Sequence, residues 1–234
     1  MTRLILIRHG STDDNLLYRL SGWTDSPLNE AGIRQAECAG DHLRRLADRD
    51  WKVAAIYASP LLRAAKTAEI IAERLQMQVN YLDELKEMHF GVFDGLPIMD
   101  LYETHKEMVD AALNPGDDEF GWEGGETRPE FFRRIHSAAV TVAERHPEQT
   151  VAVVTHAGAI AYFLAGIRGE PLSHWNRYHV ANCSLTTVRY RNGEFRLEAH
   201  NLTGHVPQEE FDELFQSAKK RLGINPAPLA RKEN

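Results

Sequence analysis

The chain has 234 residues, 43% of them hydrophobic and 26% charged. That length suits one large α/β domain, or at most two small ones, and the balance is that of a globular chain rather than a disordered one. A formal net charge of −7 disfavours a nucleic-acid partner, which needs a basic face, and no apolar run approaches the roughly 20 residues of a membrane span.

The start of the chain is apolar only as far as Ile7. It predicts a buried strand over Arg3 to Ile7, not a signal peptide. Asn29 to Ala47 predicts a helix, with Ala36, Ala39, Gly40, Leu43, Leu46 and Ala47 on one face. Val53 to Ala58 predicts a second strand, Leu61 to Leu75 a second helix and Gln78 to Leu82 a short third strand. Residues 83–126 are less regular and read as an insertion. Thr127 and Glu130 have capping-box spacing, and Pro129 suits a first helical turn. Thr150 to Thr155 is a further apolar strand, with a helix from about Gly158. Asn192-Gly193, between β-rich Ser184 to Tyr190 and Glu194 to Ala199, signals a hairpin. The expected organisation is one domain over residues 1–215, then a helix end and mobile tail over 216–234, where Pro226 and Pro228 fall. Alternating strands and helices imply an α/β fold: a mainly parallel central sheet flanked by helices, with an irregular to helical insertion near 83–126. Ligands of such sheets bind outside the carboxyl ends of the strands.

Three strand ends carry the chemistry. Arg8-His9-Gly10 follows the first strand, Ser59-Pro60-Leu61-Leu62-Arg63 the second, and His156-Ala157-Gly158 the strand ending at Thr155. Arg8, His9, Arg63 and His156 therefore arrive at one sheet edge near helix N-termini, which makes an anion site. Arginine forks suit phosphate oxygens. Cys38 and Cys183 have no CxxC spacing, so neither a zinc site nor a disulfide framework is expected. A reducing cytoplasm is the default compartment. Asn182, just before a strand, is a further candidate pocket residue. Trp23 reads equally as a cover for the pocket mouth or as loop packing, and His89 as exposed. His205 reads as site-adjacent and structural. His42, His105, His136, His146, His174, His179 and His200 show no ligand spacing and read as surface residues.

Leu6-Ile7-Arg8-His9-Gly10-Ser11-Thr12 resembles the signature of the histidine phosphatase superfamily, the phosphoglycerate-mutase-like enzymes. The likeness continues through Ser21-Gly22-Trp23-Thr24-Asp25-Ser26-Pro27-Leu28-Asn29-Glu30-Ala31-Gly32 and Ala58-Ser59-Pro60-Leu61-Leu62-Arg63-Ala64. Leu85-Lys86-Glu87-Met88-His89-Phe90-Gly91 resembles the acid-bearing motif. Gly124-Gly125-Glu126-Thr127 with Arg134, and Val154-Thr155-His156-Ala157-Gly158, complete it. The resemblance implies His9 as the phosphoryl-accepting nucleophile and Glu87 as proton donor to the leaving oxygen. It places Arg8, Arg63 and His156 around the phosphoryl oxygens, Asn15 as a further phosphate contact, and Ser21 and Gly22 in a loop lining the pocket. Such chemistry is positioning plus positive charge, so no metal and no cofactor is expected. His9 must be neutral to attack and Glu87 must hold a proton, which cationic neighbours and burial respectively favour.

The function expected is hydrolysis of small phosphomonoesters through a phosphohistidine on His9. The partner is then a small phosphorylated metabolite, with a homodimer left open. One alternative is a phosphoglycerate mutase dependent on 2,3-bisphosphoglycerate; another is a non-catalytic regulatory module on the same fold. Mutases of the family carry a longer, more basic insertion and a tyrosine where this chain has Phe90. Here residues 96–126 hold nine acids against one base, Lys106. By family analogy that segment overhangs the pocket, which predicts a preference for substrates with little additional negative charge.

Overall fold

The computed structural model describes residues 1–47 and 51–207. Its elements in chain order are β1 (Thr2–Arg8), α1 (Asp13–Leu16), α2 (Glu30–Leu46), β2 (Val53–Ala58), α3 (Leu62–Leu75) and β3 (Val79–Tyr81). Then come α4 (Ile98–Thr104), α5 (Lys106–Leu113), α6 (Arg128–Arg145), β4 (Thr150–Thr155), α7 (Ala157–Ile167), β5 (Leu185–Arg191) and β6 (Glu194–Leu202). The expected boundary at 215 and tail over 216–234 lie outside the described residues.

One sheet runs in the order β3-β2-β4-β1-β5-β6. β3, β2, β4 and β1 are parallel, and the β5–β6 hairpin adds two antiparallel strands beside β1. The mainly parallel sheet read from the sequence is therefore present. Asn192 and Gly193 take φ of 53° and 83°, the left-handed pair that a two-residue hairpin turn requires.

Both faces of the parallel part are covered. Leu4 and Leu6 of β1 pack with Val151 and Val153 of β4 under α6 and α7. Ile5 and Ile7 pack with Ala152 and Val154 under α2 and α3. Side chains alternate along a strand, so a strand buried on both faces reads as an unbroken apolar run. Each such side chain contributes about 1.5–3 kcal/mol on burial. The Thr127–Glu130 capping box opens α6 as expected. The 83–126 segment is irregular with two short helices, and it closes its own cluster of Phe93, Leu101 and Val109.

Five histidines depart from the surface reading: His42, His136, His146, His174 and His200 are half-buried. His136 sits among Phe132, Phe163 and Phe195, and His146 Nε2 lies 3.0 Å from Tyr57 Oη. Imidazole presents apolar ring faces that pack in aromatic surroundings, which sequence spacing does not reveal. Among the described residues no helix is long and apolar enough to cross a membrane.

Candidate active site

The carboxyl ends of β1, β2 and β4 lie side by side, so the residues that follow them converge. His9 continues the parallel ladder through its N–H to Thr155 O at 2.9 Å. Its ring is buried, 5.2 Å from that of His156. Nδ1 of His9 lies 2.7 Å from Gly10 O. A carbonyl only accepts, so Nδ1 carries the proton and Nε2 keeps its lone pair. Burial first, then Arg63 and Arg8, hold the His9 imidazole well below its usual range.

Arg63, in the first turn of α3, donates to Thr24 O at 3.0 Å and Gly22 O at 2.7 Å. It thereby anchors the 21–25 loop while remaining within electrostatic reach of His9 and Glu87. Arg8 donates Nη1 to Val180 O at 2.8 Å, and burial pushes its guanidinium down to about 10. His156 begins α7, fully buried, and its Nε2 lies 2.8 Å from Ser59 Oγ. Leu61 N–H donates to the same Ser59 oxygen. Burial first, then Arg63, also lowers His156. Arg8 Nε and His156 Nδ1 are both buried without a hydrogen-bond partner.

Glu87 is drawn into this group by the start of α7. Gly158 N–H donates to Oε2 at 3.0 Å and Met88 N–H to Oε1 at 2.9 Å. A methyl group at Gly158 would overlap that carboxylate and push it aside. Burial raises the Glu87 carboxyl above its ordinary range, against those N–H groups and the arginines.

Asn182 Nδ2 donates to His9 O at 3.0 Å and to Asn15 Oδ1 at 3.2 Å. These two side chains brace the backbone of the His9 turn. Gly22 reaches the site through its carbonyl on Arg63. The Ser21 hydroxyl turns instead to Asp14 Oδ2 at 3.3 Å. Trp23 donates its indole N–H to Glu87 O at 2.8 Å, and its ring lies tilted against that of His89 with centroids 4.7 Å apart. His89 is half-buried rather than exposed. His205 holds Cys183 O at 2.9 Å, behind the Arg8 strand end, as the structural reading expects.

Sequence reasoning gave no role to Thr67 or Ser59. Thr67 accepts Gly10 N–H at 2.9 Å and donates to Arg63 O at 2.7 Å, so it ties two phosphate-site motifs together. Its position four residues after Arg63, one helical turn on, is the signal available. Among the described residues no three His, Cys, Asp or Glu side chains converge on a metal-binding geometry.

The family model of the histidine phosphatase superfamily (branch 1) matches residues 4–203. The chain belongs to this superfamily. This histidine phosphatase superfamily member is 30% identical over 207 residues to a protein described as uncharacterized phosphatase PhoE of Bacillus subtilis (strain 168), covering 88% of this chain and 97% of that one. It is 31% identical over 224 residues to a probable phosphoglycerate mutase, GpmB of Yersinia pestis (strain Pestoides F), with coverage of 92% and 99%. Among solved structures, YhfR of Bacillus stearothermophilus superposes with a TM-score of 0.81 at 28% identity, covering 88% of this chain and all of that one. The expected fold, family and phosphoryl-transfer class thus hold.

Proposed function

We propose that this chain hydrolyses small phosphomonoesters through a phosphohistidine on Nε2 of His9. The observation that carries the reading is a pair of unspent donors beside a free nucleophile. Arg8 Nε and His156 Nδ1 are buried and unpartnered, although buried polar groups are nearly always hydrogen-bonded. The Ser59 hydroxyl accepts Leu61 N–H and so has its own proton to give to His156 Nε2, which leaves the proton of the neutral ring on Nδ1. Two donors, with the charge of Arg63 behind them, suit the oxygens of a phosphoryl group.

The steps follow from the protonation states. His9 Nε2 attacks phosphorus, the N–P bond forms and the ester P–O bond breaks. The Glu87 proton goes to the departing oxygen. The resulting Glu87 carboxylate then takes a proton from water, the water oxygen bonds to phosphorus, and the N–P bond breaks to release phosphate. Arg8 and Arg63 supply the positive charge that the three phosphoryl oxygens require. The partner is a small phosphorylated metabolite.

Likeness to GpmB supports a second reading, a mutase, which returns the phosphoryl group to a substrate hydroxyl instead of water. The acid-rich 96–126 segment offers Lys106 alone to hold a substrate carboxylate, and Lys106 is paired with Asp110. Hydrolysis is therefore preferred.

The test is purified protein against a panel of phosphomonoesters, with and without 2,3-bisphosphoglycerate. Brief exposure to labelled substrate is expected to leave an acid-labile, base-stable label on the protein, and His9→Ala to lose both label and turnover. Turnover in folded His9→Ala comparable to the unsubstituted protein would sink the reading. Interconversion of phosphoglycerates outpacing phosphate release would favour the mutase.

A further inference from the structure

The proton donor sits on the least regular part of the chain. Glu87 follows a single 3-10 turn (Asp83–Leu85) and precedes another (Gly91–Phe93), so no helix or strand orients it. The backbone groups around it still need partners, because a buried unpaired carbonyl is costly. Most of those partners come from one side chain on a different element.

Arg134 of α6 donates Nη1 to Glu84 O at 2.8 Å and to Lys86 O at 3.0 Å, and Nη2 to Glu87 O at 3.1 Å. Its remaining donors go to one carboxylate: Nε to Glu126 Oε1 at 2.7 Å and Nη2 to Glu126 Oε2 at 2.6 Å. A guanidinium has five N–H donors in a fixed planar fork, and these five bonds use them all. The plane is held from another side by Phe131, whose ring centre lies 5.0 Å from the guanidinium carbon. Glu126 completes the clasp. Its Oε2 accepts His89 N–H at 2.9 Å, and its own N–H donates to His89 O at 2.9 Å. The backbone is thus gripped on both sides of Glu87.

We infer that Arg134, locked by Glu126, is the positioning residue that sets the Glu87 carboxyl against the leaving-group oxygen. Arg134 touches neither substrate nor the Glu87 carboxylate. It acts through the 84–87 carbonyls and rests on the reading of Glu87 as general acid. A lysine keeps the charge but has three donors and no fork, so it cannot make this set of bonds. The ion pair itself sits at 19% side-chain exposure on each partner, where geometry counts for more than charge. Burial of the Glu87 carboxyl, which holds its proton on, depends on the same placement.

The experiment compares the unsubstituted protein with Arg134→Lys, Arg134→Gln and Glu126→Gln, using nitrophenyl phosphate and an alkyl phosphate. An alkoxide needs a proton as it leaves and a nitrophenolate does not. In each variant the kcat/KM ratio of alkyl to nitrophenyl substrate is expected to fall by about 10- to 100-fold, the scale for a general acid displaced by an ångström. The basic limb of the alkyl-phosphate pH profile is also expected to move to lower pH, as the Glu87 carboxyl gains contact with water. Thermal melting of each variant identifies any that does not fold, and Glu126→Gln, which keeps size and shape, then carries the test. Equal losses on both substrates would mean a merely structural tie and overturn the inference. No change in the ratio with a folded variant would do the same. If the unsubstituted protein hydrolyses neither substrate, it is the phosphatase reading that has failed.

Discussion

Glu87 and His9 both lie within electrostatic reach of Arg8 and Arg63, and burial drives them toward opposite protonation states. A buried imidazole loses its proton, because the charged form is the poorly solvated one; a buried carboxyl keeps its proton for the same reason. His9 is lowered and Glu87 raised accordingly. Turnover of an alkyl phosphate therefore needs a pH above the lowered His9 value and below the raised Glu87 value. Glu87→Gln is expected to slow alkyl phosphates by about 100-fold or more and nitrophenyl phosphate far less. The check is kcat/KM for both across pH. In the unsubstituted protein the alkyl profile alone should fall as pH rises through the Glu87 carboxyl. Equal slowing of both substrates removes Glu87 from the acid role.

At the scale of elements, the start of α7 does two jobs with adjacent residues. His156 stands at the helix N-cap and Gly158 N–H binds Glu87, so strand β4 delivers one site residue while the helix after it seats another. Gly158→Ala is expected to push the carboxylate off that N–H and lower kcat for alkyl phosphates at least about tenfold. Thr127→Ala is a contrasting case. It removes the side-chain cap of α6 without touching the Glu87 carboxylate, and is expected to cost about 1 kcal/mol of stability. Circular dichroism melts and steady-state rates on the pair separate the two effects. A Gly158→Ala protein with undiminished alkyl turnover would show that α7 does not seat the acid.

Across the whole molecule, buried neutral histidines tie stability to pH. Burial lowers His9, His156, His136 and His200, and brings His205 down to about 4. A group whose folded value lies below its unfolded one leaves the unfolded chain binding more protons in between, so stability rises with pH there. The window runs from the ordinary histidine value near 6.5 down to the lowered ones. Thermal melting is expected to fall by several degrees between about pH 8 and about pH 5, where about 1 kcal/mol moves the midpoint by a few degrees. A midpoint flat across that range would contradict this. Net charge sets a second expectation. Asp100, Glu103, Glu107, Asp110, Glu119 and Glu123 of the 96–126 segment are exposed, whereas Glu126 turns inward to Arg134 and Asp118 accepts Ser173 N–H. A substrate with a second anionic group is expected to lose about fivefold in kcat/KM at low salt and to recover at high salt, from roughly 1 kcal/mol per like-charge pair. Acidic substrates favoured at both salt levels would remove that repulsion and strengthen the mutase reading.

Local chemistry was legible in the sequence wherever the signal lies within a few residues. The apolar runs of β1 and β4, the Thr127–Glu130 cap, the Asn192-Gly193 turn and the placement of Arg8, His9, Arg63 and His156 at or just after strand ends are found where the sequence puts them. Their causes are short-range: side-chain alternation, a backbone donor three residues on, a left-handed turn, and the rule that parallel strands present their carboxyl ends together. Tertiary structure decided the rest, because those interactions join residues far apart in the chain. Glu87 meets Gly158 at a separation of 71 residues, and His156 meets Ser59 at 97. The inward turn of Glu126 also depends on where α6 packs, as does the five-bond grip of Arg134 on an irregular segment. Only packing chose which histidines are buried, since an imidazole is apolar enough to enter a core and polar enough to stay out.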